Sequence, residues 1–444
     1  MKNPSIESWG RFPRAEHRTL PLAWRDQARL ADLEGLLLAH GMGRSYGDSC
    51  LNDGGTLLLT RGLDRFLEFD ESSGVLRCEA GVTLAQILEF AVPRGFFLPV
   101  TPGTKFVTVG GAIANDVHGK NHHADGTFGR FVRRFELCTS DGKRRICSPE
   151  ENEGHYRATI GGLGLTGLIT WAEIQLRRVP SPFIVQESLK MRSLDDFFRI
   201  NDESEKDWQY TVAWIDVLAR GRKLGRGIYY RGNHAPQSPP GRRISFGEPR
   251  LRVPFDAPNF VLSGTSVRLF NFAYYNRQLR PLRRATIPYE PFFYPLDAVG
   301  NWNRIYGRRG LLQWQCVVSD PETVVRILEV VSRARQGSFL VVLKTFGALR
   351  SPGMLSFPRP GITLALDFPH LGESTLTLLD RLDALVAESG GALYPAKDAR
   401  MSAEMFELSF PELPAFLPYV DPRFSSSFWR RVRRVDEGAQ ARTA

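Results

Sequence analysis

Cysteine is scarce in this chain, and the few cysteines are scattered. The 444 residues include five cysteines, at positions 50, 78, 138, 147 and 316, and none forms a C-x-x-C pair. Because this pattern suits neither a disulfide framework nor a zinc site, we expect a reducing, cytoplasmic location. The first ten residues have no apolar core, which speaks against a signal peptide. No run reaches the roughly 18 apolar residues of a spanning helix, so we expect a soluble or membrane-peripheral protein.

Positive charge is in excess, but the patterns of nucleic-acid-binding proteins are missing. The formal net charge is +10, and the composition is 42% hydrophobic and 24% charged, which is typical of a globular chain long enough for two domains. Without a recognition helix, zinc finger or RNP pattern, no nucleic-acid partner is predicted. A basic balance also suits an anionic membrane or a phosphorylated substrate. A solvated basic face without a ligand is the ordinary alternative.

Glycine is concentrated in three short segments, at residues 41–48, 102–123 and 161–169. Glycine allows positive φ and close approach of a ligand, and unpaired backbone N–H groups in such loops bind anions. The segments therefore suit a diphosphate-bearing cofactor, and we expect little regular structure in 102–123. The spacing in 41–48 does not match the G-x-G-x-x-G fingerprint of dinucleotide-binding dehydrogenases. Taken alone, each segment is equally compatible with plain tight turns.

Hydrophobic periodicity predicts an α+β arrangement in the first 180 residues. Thr83 is expected to cap a helix that ends at Gly95 and turns its apolar residues inward. Short strands are predicted over 36–39, 75–79 and 169–179, together with a hairpin over 135–147.

The residues after 182 follow a different pattern, rich in aromatics and arginine. Predicted strands over 311–319 and 338–345 flank a predicted helix over 321–335. This interleaving favours an antiparallel sheet with helices on one face.

The three glycine segments resemble the flavin-binding signature of the vanillyl-alcohol oxidase superfamily. Later motifs are similar, in the same order, to the oxidase subunits of decaprenylphosphoryl-β-D-ribose 2′-epimerases; these are residues 294–297 (YPLD), 301–304 (NWNR), 312–315 (LQWQ), 344–347 (KTFG), 366–369 (LDFP) and 394–400 (YPAKDAR). The resemblance covers nearly the whole chain. It implies an α+β, two-domain flavoprotein of the PCMH-type FAD-binding fold. The FAD-binding domain would span 5–180, an antiparallel-sheet substrate domain 181–391, and a C-terminal return to the FAD domain 392–444.

The resemblance implies FAD as the cofactor. Its implied contacts are Gly41, Gly43, Arg44, Ser45, Tyr46, Gly47, Pro102, Gly103, Thr104, Thr108, Gly110, Gly111, Ala114, Asn115, His118, Gly119, Gly162, Gly164, Gly167, Ile169, Tyr394 and Lys397. Covalent attachment in this superfamily usually uses a histidine in the first loop. Here residues 44–46 contain none and His40 lies before them, so we expect non-covalent FAD. The pair His122 and His123 admits a metal reading, but no carboxylate or cysteine stands at ligand spacing, so no metal is predicted.

Lys397, His118 and Tyr46 are the catalytic residues that the resemblance implies. Lys397 would lie beside the flavin ring and the reacting hydroxyl, where a cation stabilises the reduced flavin. His118 would pack on the flavin and orient the substrate, and Tyr46 would face the same cavity. On the residues alone, a lysine in a loop is more often simply solvated, and His118 could be a structural histidine.

The implied substrate contacts lie mostly in the second half of the chain: Lys120, Trp214, Gln313, Gln315, Lys344, Thr363 and Asp367. Paired glutamines suit vicinal sugar hydroxyls, and Lys344 suits a phosphate as a compact charge. Ala365 departs from the family pattern, since actinobacterial members carry cysteine there, and they often carry asparagine in place of Thr363. The pocket is therefore expected to be remodelled on one side.

The implied function is FAD-dependent oxidation of the C2 hydroxyl of a polyprenyl-phosphoryl pentose to the 2-keto sugar. A short-chain NAD(P)H-dependent keto-reductase would complete the epimerisation to the arabinose form, for arabinan biosynthesis and the cell wall. A soluble alditol or aldonolactone oxidase of the same superfamily, and a flavin-bound protein without turnover, remain alternatives. The basic, aromatic region 264–294 contains Arg277, Arg280, Arg283 and Arg284, which we expect to bring the protein to an anionic membrane.

Overall fold

The computed structural model describes residues 6–433, apart from residues 28, 243, 245, 248, 250 and 338, and the side chains of 259 and 260. Residue 5 and residues 434–444, which the predicted domain limits include, lie outside the described residues. Within the described part, no helix is both long and apolar enough to cross a membrane.

The first 180 residues form the flavin half of the molecule. Its strands are β1 (Arg18–Pro21), β2 (Leu37–His40), β3 (Thr56–Leu59), β4 (Phe66–Asp70), β5 (Val75–Glu79), β6 (Phe96–Phe97), β7 (Val132–Cys138), β8 (Arg144–Cys147), β9 (Leu168–Gln175) and β10 (Arg177–Arg178). Its α-helices are α1 (Leu84–Ala91), α2 (Val109–Ala114), α3 (His122–Asp125) and α4 (Glu153–Thr159).

Helix α1 begins where the sequence predicts. The Thr83 hydroxyl accepts a hydrogen bond from the Gln86 backbone N–H at 3.2 Å, while the Gln86 side chain accepts one from the Thr83 N–H at 2.8 Å. This capping box satisfies two N–H groups that the first turn leaves free. The α-helical pairing ends at Ala91, and a 3₁₀ turn leads to Gly95, whose φ of 77° only glycine adopts without strain.

Two small sheets carry the flavin half. Strands β4, β5, β9, β7 and β8 form an antiparallel sheet in that order, and β1, β3 and β2 form a parallel one. The predicted hairpin is present as β7 and β8, with Gly142 at φ 81° in its turn. The predicted strand over 75–79 is β5 itself.

The expectation of little regular structure in 102–123 is wrong, because this segment contains α2 and α3. The Thr108 side chain accepts a hydrogen bond from the Gly111 N–H at 3.1 Å and so begins α2. Gly110 allows this short helix to pack closely, since a methyl group there would lie 3.1 Å from the Ala80 Cβ. Capping and close packing together outweigh the low helix propensity of glycine.

The second half forms one large sheet, with most of its helices on one face and one helix over an end of the other face, and a separate two-stranded sheet. Its strands are β11 (Phe183–Met191), β12 (Tyr210–Ile215), β13 (Gly227–His234), β14 (Leu251–Arg252), β15 (Leu282–Pro288), β16 (Val299–Gly300), β17 (Leu311–Val318), β18 (Val341–Phe346), β19 (Gly361–Pro369) and β20 (Ala392–Leu393). Its helices are α5 (Leu194–Ser204), α6 (Gly264–Asn276), α7 (Tyr289–Phe293), α8 (Pro321–Ala334) and α9 (Glu373–Glu388).

The order in the large sheet is β15-β11-β13-β12-β18-β19-β17-β20, with all neighbours antiparallel. Helices α5, α8 and α9 share one apolar core with this sheet. The α+β class and the antiparallel substrate sheet are therefore confirmed. The domain limits stay predictions, and β20 lies at the predicted boundary at residue 392 yet still pairs with β17.

The C-terminal helices are α10 (Ala403–Ser409), α11 (Leu413–Phe416) and α12 (Ser427–Arg433). They return to the flavin half. Leu37 of β2 forms a bridge with Phe424, and the Ser427 N–H donates to the Leu51 carbonyl at 2.8 Å.

Candidate active site

A cavity lies between the three glycine segments and the uncovered face of the large sheet. The predicted site residues that line it are Gly41, Gly43, Arg44, Ser45, Tyr46, Pro102, Gly103, Thr104, Thr108, Gly110, Gly111, Ala114, Asn115, His118, Gly119, Lys120, Gly164, Gly167, Ile169, Gln313, Gln315, Lys344, Tyr394 and Lys397. The structure therefore brings together residues that are up to 350 positions apart in the chain.

Two of the predicted glycines lie behind the cavity wall. A methyl group at Gly47 would stand 1.8 Å from the Asp398 carbonyl oxygen, and one at Gly162 would stand 2.1 Å from that of Ala158. Neither position has room for a side chain, because at Gly47 two distant stretches of backbone pass each other and at Gly162 the chain turns back on the end of α4.

Trp214 lies beside the cavity and does not line it. Its indole N–H donates to the Phe339 carbonyl at 2.8 Å, and its ring centroid lies 4.4 Å from that of Tyr274. Val212, two residues earlier on the same face of β12, lines the cavity instead. Thr363 and Asp367 are also set back, where they hold residues that do line it.

The first glycine loop places Arg44 and Tyr46 in the cavity wall. The Arg44 guanidinium stacks over the Trp9 ring at 4.0 Å, an arrangement that favours a desolvated cation. Burial raises the pKa of Tyr46 well above its ordinary value, so the phenol keeps its proton. The Tyr46 backbone N–H donates to the Ala396 carbonyl at 2.9 Å, which ties this loop to the turn that carries Lys397.

Lys397 ends a 3₁₀ turn over Pro395–Lys397, and its Nζ lies 4.2 Å from the centre of the Tyr46 ring. Burial lowers the pKa of Lys397, while the nearby Asp367 carboxylate opposes this shift. Burial in turn raises the pKa of Asp367, which accepts a short hydrogen bond from the Gln313 amide. The positive charge of Lys397 and the negative charge of Asp367 therefore stabilise each other in this buried site.

One arginine connects the loops that carry Tyr46 and Lys397. Arg431 of α12 donates to both oxygens of Asp48, at 2.9 and 2.7 Å, and to Asp398 at 3.0 Å. In the chain, Asp48 lies two residues after Tyr46, and Asp398 directly follows Lys397. Because the C-terminal helix supplies the bridging cation, the return of the chain to the flavin half also positions the site.

His118 is held as a neutral ring by a chain of hydrogen bonds. The Thr363 hydroxyl donates to the Cys316 carbonyl at 2.7 Å and accepts from the Gln315 amide at 3.1 Å. The same amide nitrogen then donates to His118 Nε2 at 3.0 Å, which assigns the ring proton to Nδ1. Burial, and next the nearby Lys344, lower the pKa of His118 well below its ordinary value.

Two further lysines reach the cavity from opposite sides. Lys344 Nζ donates to the Gly119 carbonyl at 2.6 Å, and burial lowers its pKa to about 7. Lys120 Nζ donates to the Phe292 and Phe293 carbonyls at 2.8 and 2.9 Å, and burial lowers its pKa to about 7 as well. Each ammonium therefore keeps at least one proton free for a ligand.

Several lining residues were missed at the sequence level. Trp9, Asp297, Trp302, Val212 and Val342 all line the cavity. Asp297 and Trp302 belong to family-like motifs at 294–297 and 301–304, which could have indicated them. Val212 and Val342 carry no such signal, because an apolar residue in a strand is usually part of the core.

His122 and His123, the pair considered as possible metal ligands, contact other groups of the protein. His122 Nδ1 accepts from the Gly347 N–H at 3.2 Å, and the His123 ring contacts the Trp208 carbonyl at 2.9 Å. Among the described residues, no group of three or more histidine, cysteine or acidic side chains is placed to hold a metal ion.

Comparisons with known proteins find relatives over nearly the whole chain and a family model over part of it. A family model described as an FAD binding domain matches residues 27–148. The decaprenylphosphoryl-β-D-ribose oxidase of Mycolicibacterium smegmatis is 36% identical over 412 residues, 89% of this chain and 89% of that protein. An uncharacterised protein of Streptomyces coelicolor is 32% identical over 79% of this chain and its own full length. The human Δ24-sterol reductase is 32% identical over 110 residues, which are 25% of this chain and 21% of that protein.

The cavity wall fits FAD. Several of its buried polar atoms have no hydrogen-bond partner within the described protein, namely Arg44 Nε, Ser49 Oγ, His118 Nδ1 and Gln313 Oε1. Gly103 lines the same wall, and a methyl group there would meet no protein atom within 4 Å. Unsatisfied donors and acceptors around a glycine-rich wall are what a large polar cofactor would satisfy. FAD is the cofactor of this chain, and the glycine segments and Arg44 would hold it.

We predict that the FAD is not covalently attached. His40 lies at the end of β2, where its Nδ1 contacts the Cys50 carbonyl at 3.0 Å. Burial raises the pKa of the Cys50 thiol to about 12, which leaves it a poor nucleophile. Acid precipitation should therefore release intact FAD into the supernatant, measured by its fluorescence. Fluorescence that stays with the precipitated chain would contradict this.

Proposed function

We propose a substrate and a reaction for this chain from one premise, that it belongs to the family of the decaprenylphosphoryl-β-D-ribose oxidases. It is an FAD-dependent oxidoreductase of that kind. The proposed reaction is oxidation of the C2 hydroxyl of a polyprenyl-phosphoryl pentose, similar to decaprenylphosphoryl-β-D-ribose, to the 2-keto sugar. This would be the first half of an epimerisation to the arabinose form, used in arabinan biosynthesis for the cell wall.

One observation carries the proposal, the meeting of three buried ammonium groups on one cavity. Lys120, Lys344 and Lys397 all line it, and among the described residues none has an acidic oxygen within 4.0 Å of its nitrogen. The proximity of Lys120 and Lys397 lowers the pKa of Lys344 beyond the effect of burial. The carboxylates of Asp367 and Asp297 offset the charges of Lys397 and Lys120 only from a greater distance. Three buried cations on one cavity therefore remain costly unless a closer anion joins them. A phosphodiester next to the sugar would supply that anion.

The residues around the reacting carbon have distinct roles in the proposed reaction. The glycine segments and Arg44 would hold FAD, which would supply the acceptor for the hydride from C2. The neutral form of Lys397, whose pKa burial lowers, would accept the C2 hydroxyl proton and then hold the C2 oxygen as an ammonium, and its position over Tyr46 keeps that nitrogen in place. Neutral His118, fixed by Gln315, would donate from Nδ1 to a sugar oxygen. Gln313 offers its unpaired carbonyl oxygen to a second hydroxyl.

The product of this reaction needs a second enzyme. A 2-keto sugar becomes the epimeric alcohol only when hydride returns to the opposite face of C2. We therefore propose a short-chain NAD(P)H-dependent keto-reductase as the functional partner.

Anaerobic reduction of the bound flavin tests the substrate. Farnesylphosphoryl-β-D-ribose should bleach the flavin, while free alditols and aldonolactones should do so at least about a hundredfold more slowly, since they lack the anion. Quenching the product with borodeuteride should place deuterium at C2 of the pentose. Equal or faster bleaching by an alditol would favour a soluble sugar oxidase instead, and deuterium at another carbon would overturn the C2 assignment.

A further inference from the structure

The outward face of helix α6 is apolar, although that face of a surface helix is ordinarily polar. Val267 and Asn271 point into the protein and are buried. On the opposite side, the side chains of Leu269 and Phe272 are 68% and 57% exposed, and Leu279, just after the helix, is 86% exposed. A cluster of large, exposed apolar side chains that no described residue covers indicates a binding surface.

Cations flank this face. Between Asp256 and Glu290 the chain contains five arginines and no acidic residue. Arg268, Arg280 and Arg283 are exposed, and within the described part of the chain they form no ion pair.

The other two arginines of this stretch are also exposed, but they contact other side chains of the protein. Arg277 stacks over the Tyr274 ring at 3.7 Å and donates to the Tyr230 hydroxyl at 2.9 Å. Arg284 pairs with the buried Glu187. Of the four arginines expected from the sequence to meet a membrane, two therefore contact other side chains, while Arg280 and Arg283 form no ion pair among the described residues. Arg268 is like the latter two.

The apolar face adjoins the proposed substrate site. Tyr274, on the inner side of α6, packs against Trp214, and Val212 on the same face of β12 lines the cavity. Val342, on the neighbouring strand β18, lines the cavity as well and is 38% exposed. Helix α6 therefore covers the outer end of the substrate wall.

We propose that this face, formed by Leu269, Phe272 and Leu279 with Arg268, Arg280 and Arg283, docks on an anionic lipid bilayer. The leucines and the phenylalanine would enter the headgroup region, while the arginines meet lipid phosphates. A bilayer fits better than an acidic protein, because the exposed groups combine apolar side chains and unpaired cations without a single carboxylate. The purpose of docking rests on the proposed lipid-linked substrate, but the docking itself does not.

Vesicle sedimentation with the FAD-loaded full chain tests the proposal. The protein should sediment with vesicles of equal parts phosphatidylglycerol and phosphatidylcholine, and should stay in solution with phosphatidylcholine alone. Binding should fade as salt shortens the Debye length to about 3 Å at 1 M. Replacing Arg268, Arg280 and Arg283 by Gln should lower the partition coefficient roughly a hundredfold, and Leu269→Ser with Phe272→Ser should abolish binding at any charge.

A matched control removes the same charge elsewhere. Arg29→Gln, Arg133→Gln and Lys206→Gln change exposed residues outside this face and should leave sedimentation unchanged. Equal binding by the parent and the Arg268/Arg280/Arg283 variant would overturn the proposal. So would failure of the parent to bind, combined with a dimer that Phe272→Ser dissociates, because a second copy would then be the occupant.

Oxidation of a water-soluble, short-chain phosphoryl-ribose separates this proposal from the proposed function. All of these variants should oxidise it at the parental rate, since none of the changed residues lines the cavity. Membrane binding without any oxidation would count against the proposed function alone, and oxidation without membrane binding would count against docking alone.

Discussion

The flavin side and the substrate side of the cavity are built from different parts of the chain. The flavin side is backbone in close contact, and a methyl group at Gly41 would stand 2.4 Å from Thr108 Oγ1. The substrate side is one face of an antiparallel sheet, where alternate residues such as Gln313 and Gln315 point into the cavity. A wall of closely packed glycine loops tolerates added atoms at few positions, and its backbone groups do not titrate. A wall of side chains accepts conservative changes but depends on their protonation.

The charges on the two sides differ in the same way. The flavin side has Arg44, whose guanidinium stays protonated at any physiological pH. Lys344 on the sheet, and Lys120 in the glycine segment 102–123, have pKa values of about 7. Flavin binding should therefore depend on shape, and substrate binding on pH.

The largest expected effect comes from adding one carbon behind the flavin wall. Gly47→Ala would place a methyl group 1.8 Å from the Asp398 carbonyl, so the loops that carry Tyr46 and Lys397 must separate. We expect a loss of about 3 kcal/mol or more in unfolding free energy and a protein isolated without FAD. Flavin content and thermal unfolding measure both.

Gly264→Ala at the start of α6 is the matched control, because the added methyl group comes no closer than 3.3 Å to the Arg335 carbonyl. It should keep its flavin. A Gly47→Ala protein with parental FAD content would show that the close approach of the two loops is not required.

Removing Lys397 should be the next largest effect, and it should act on the rate alone. Its charge is wanted mainly as electrons arrive on the flavin, so Lys397→Ala should lose about 3 kcal/mol of transition-state stabilisation, roughly a hundredfold in rate. Stopped-flow bleaching of the flavin under anaerobic conditions measures this. FAD should stay bound, and Lys206→Ala, at an exposed lysine, should behave like the parent. A rate within about threefold of the parent would remove Lys397 from the mechanism.

The pH dependence of the two binding events should separate the two walls. A lysine with a pKa near 7 is protonated below pH 7 and neutral above it, whereas the phosphodiester keeps one negative charge throughout. Affinity for a 2-deoxyribose analogue, which cannot react, should fall about tenfold between about pH 6 and pH 8, as one charge-assisted contact is lost. FAD affinity should not change over this range. Titrations followed by flavin absorbance measure the first, and fluorescence of free FAD the second.

Lys344→Met makes this test more specific. It removes the titrating group whose Nζ donates to the Gly119 carbonyl at 2.6 Å. It should flatten the pH dependence of analogue binding. An equally steep fall in this variant would assign the effect to another group.

The smallest expected effect concerns Thr363, which acts through Gln315. Thr363→Val removes the hydroxyl that orients the Gln315 amide toward His118 and leaves the Cys316 carbonyl without that donor. We expect about 1 kcal/mol, roughly fivefold in kcat, with a smaller change in KM. Thr363→Ser keeps the hydroxyl and should restore the rate. A serine variant as slow as the valine variant would show that the hydroxyl alone does not sustain the rate, against the assigned hydrogen bond.

Sequence reasoning was most successful where short-range signals decide the structure. The strand over 75–79, the capping box at Thr83 and the hairpin around Gly142 depend on neighbours within a few residues. It was wrong about 102–123, where Thr108 begins a helix that the glycines seemed to forbid. The competing effect was packing against Ala80, which no local pattern reveals.

The resemblance predicted which strands contribute residues to the substrate wall, but it did not predict which of those residues line the cavity. Trp214, Thr363 and Asp367 were expected to touch substrate, yet the structure sets them one layer back, while Val212 and Val342 line the cavity. Which residue of a strand reaches the cavity depends on strand register and on what covers each end of the sheet. Helix α6 covers the Trp214 end, and nothing in the sequence near Trp214 indicates that.

The sequence by itself determined the cofactor class and the local elements, because glycine loops, caps and turns act through the backbone conformation of a few adjacent residues. Only the tertiary structure decided which groups meet. Arg431 bridges Asp48 and Asp398 across more than 380 positions, three lysines share one cavity, and two of the five arginines between Asp256 and Glu290 contact other side chains while three form no ion pair among the described residues. These arrangements come from burial and charge balance between distant segments, which exist only after the chain has folded.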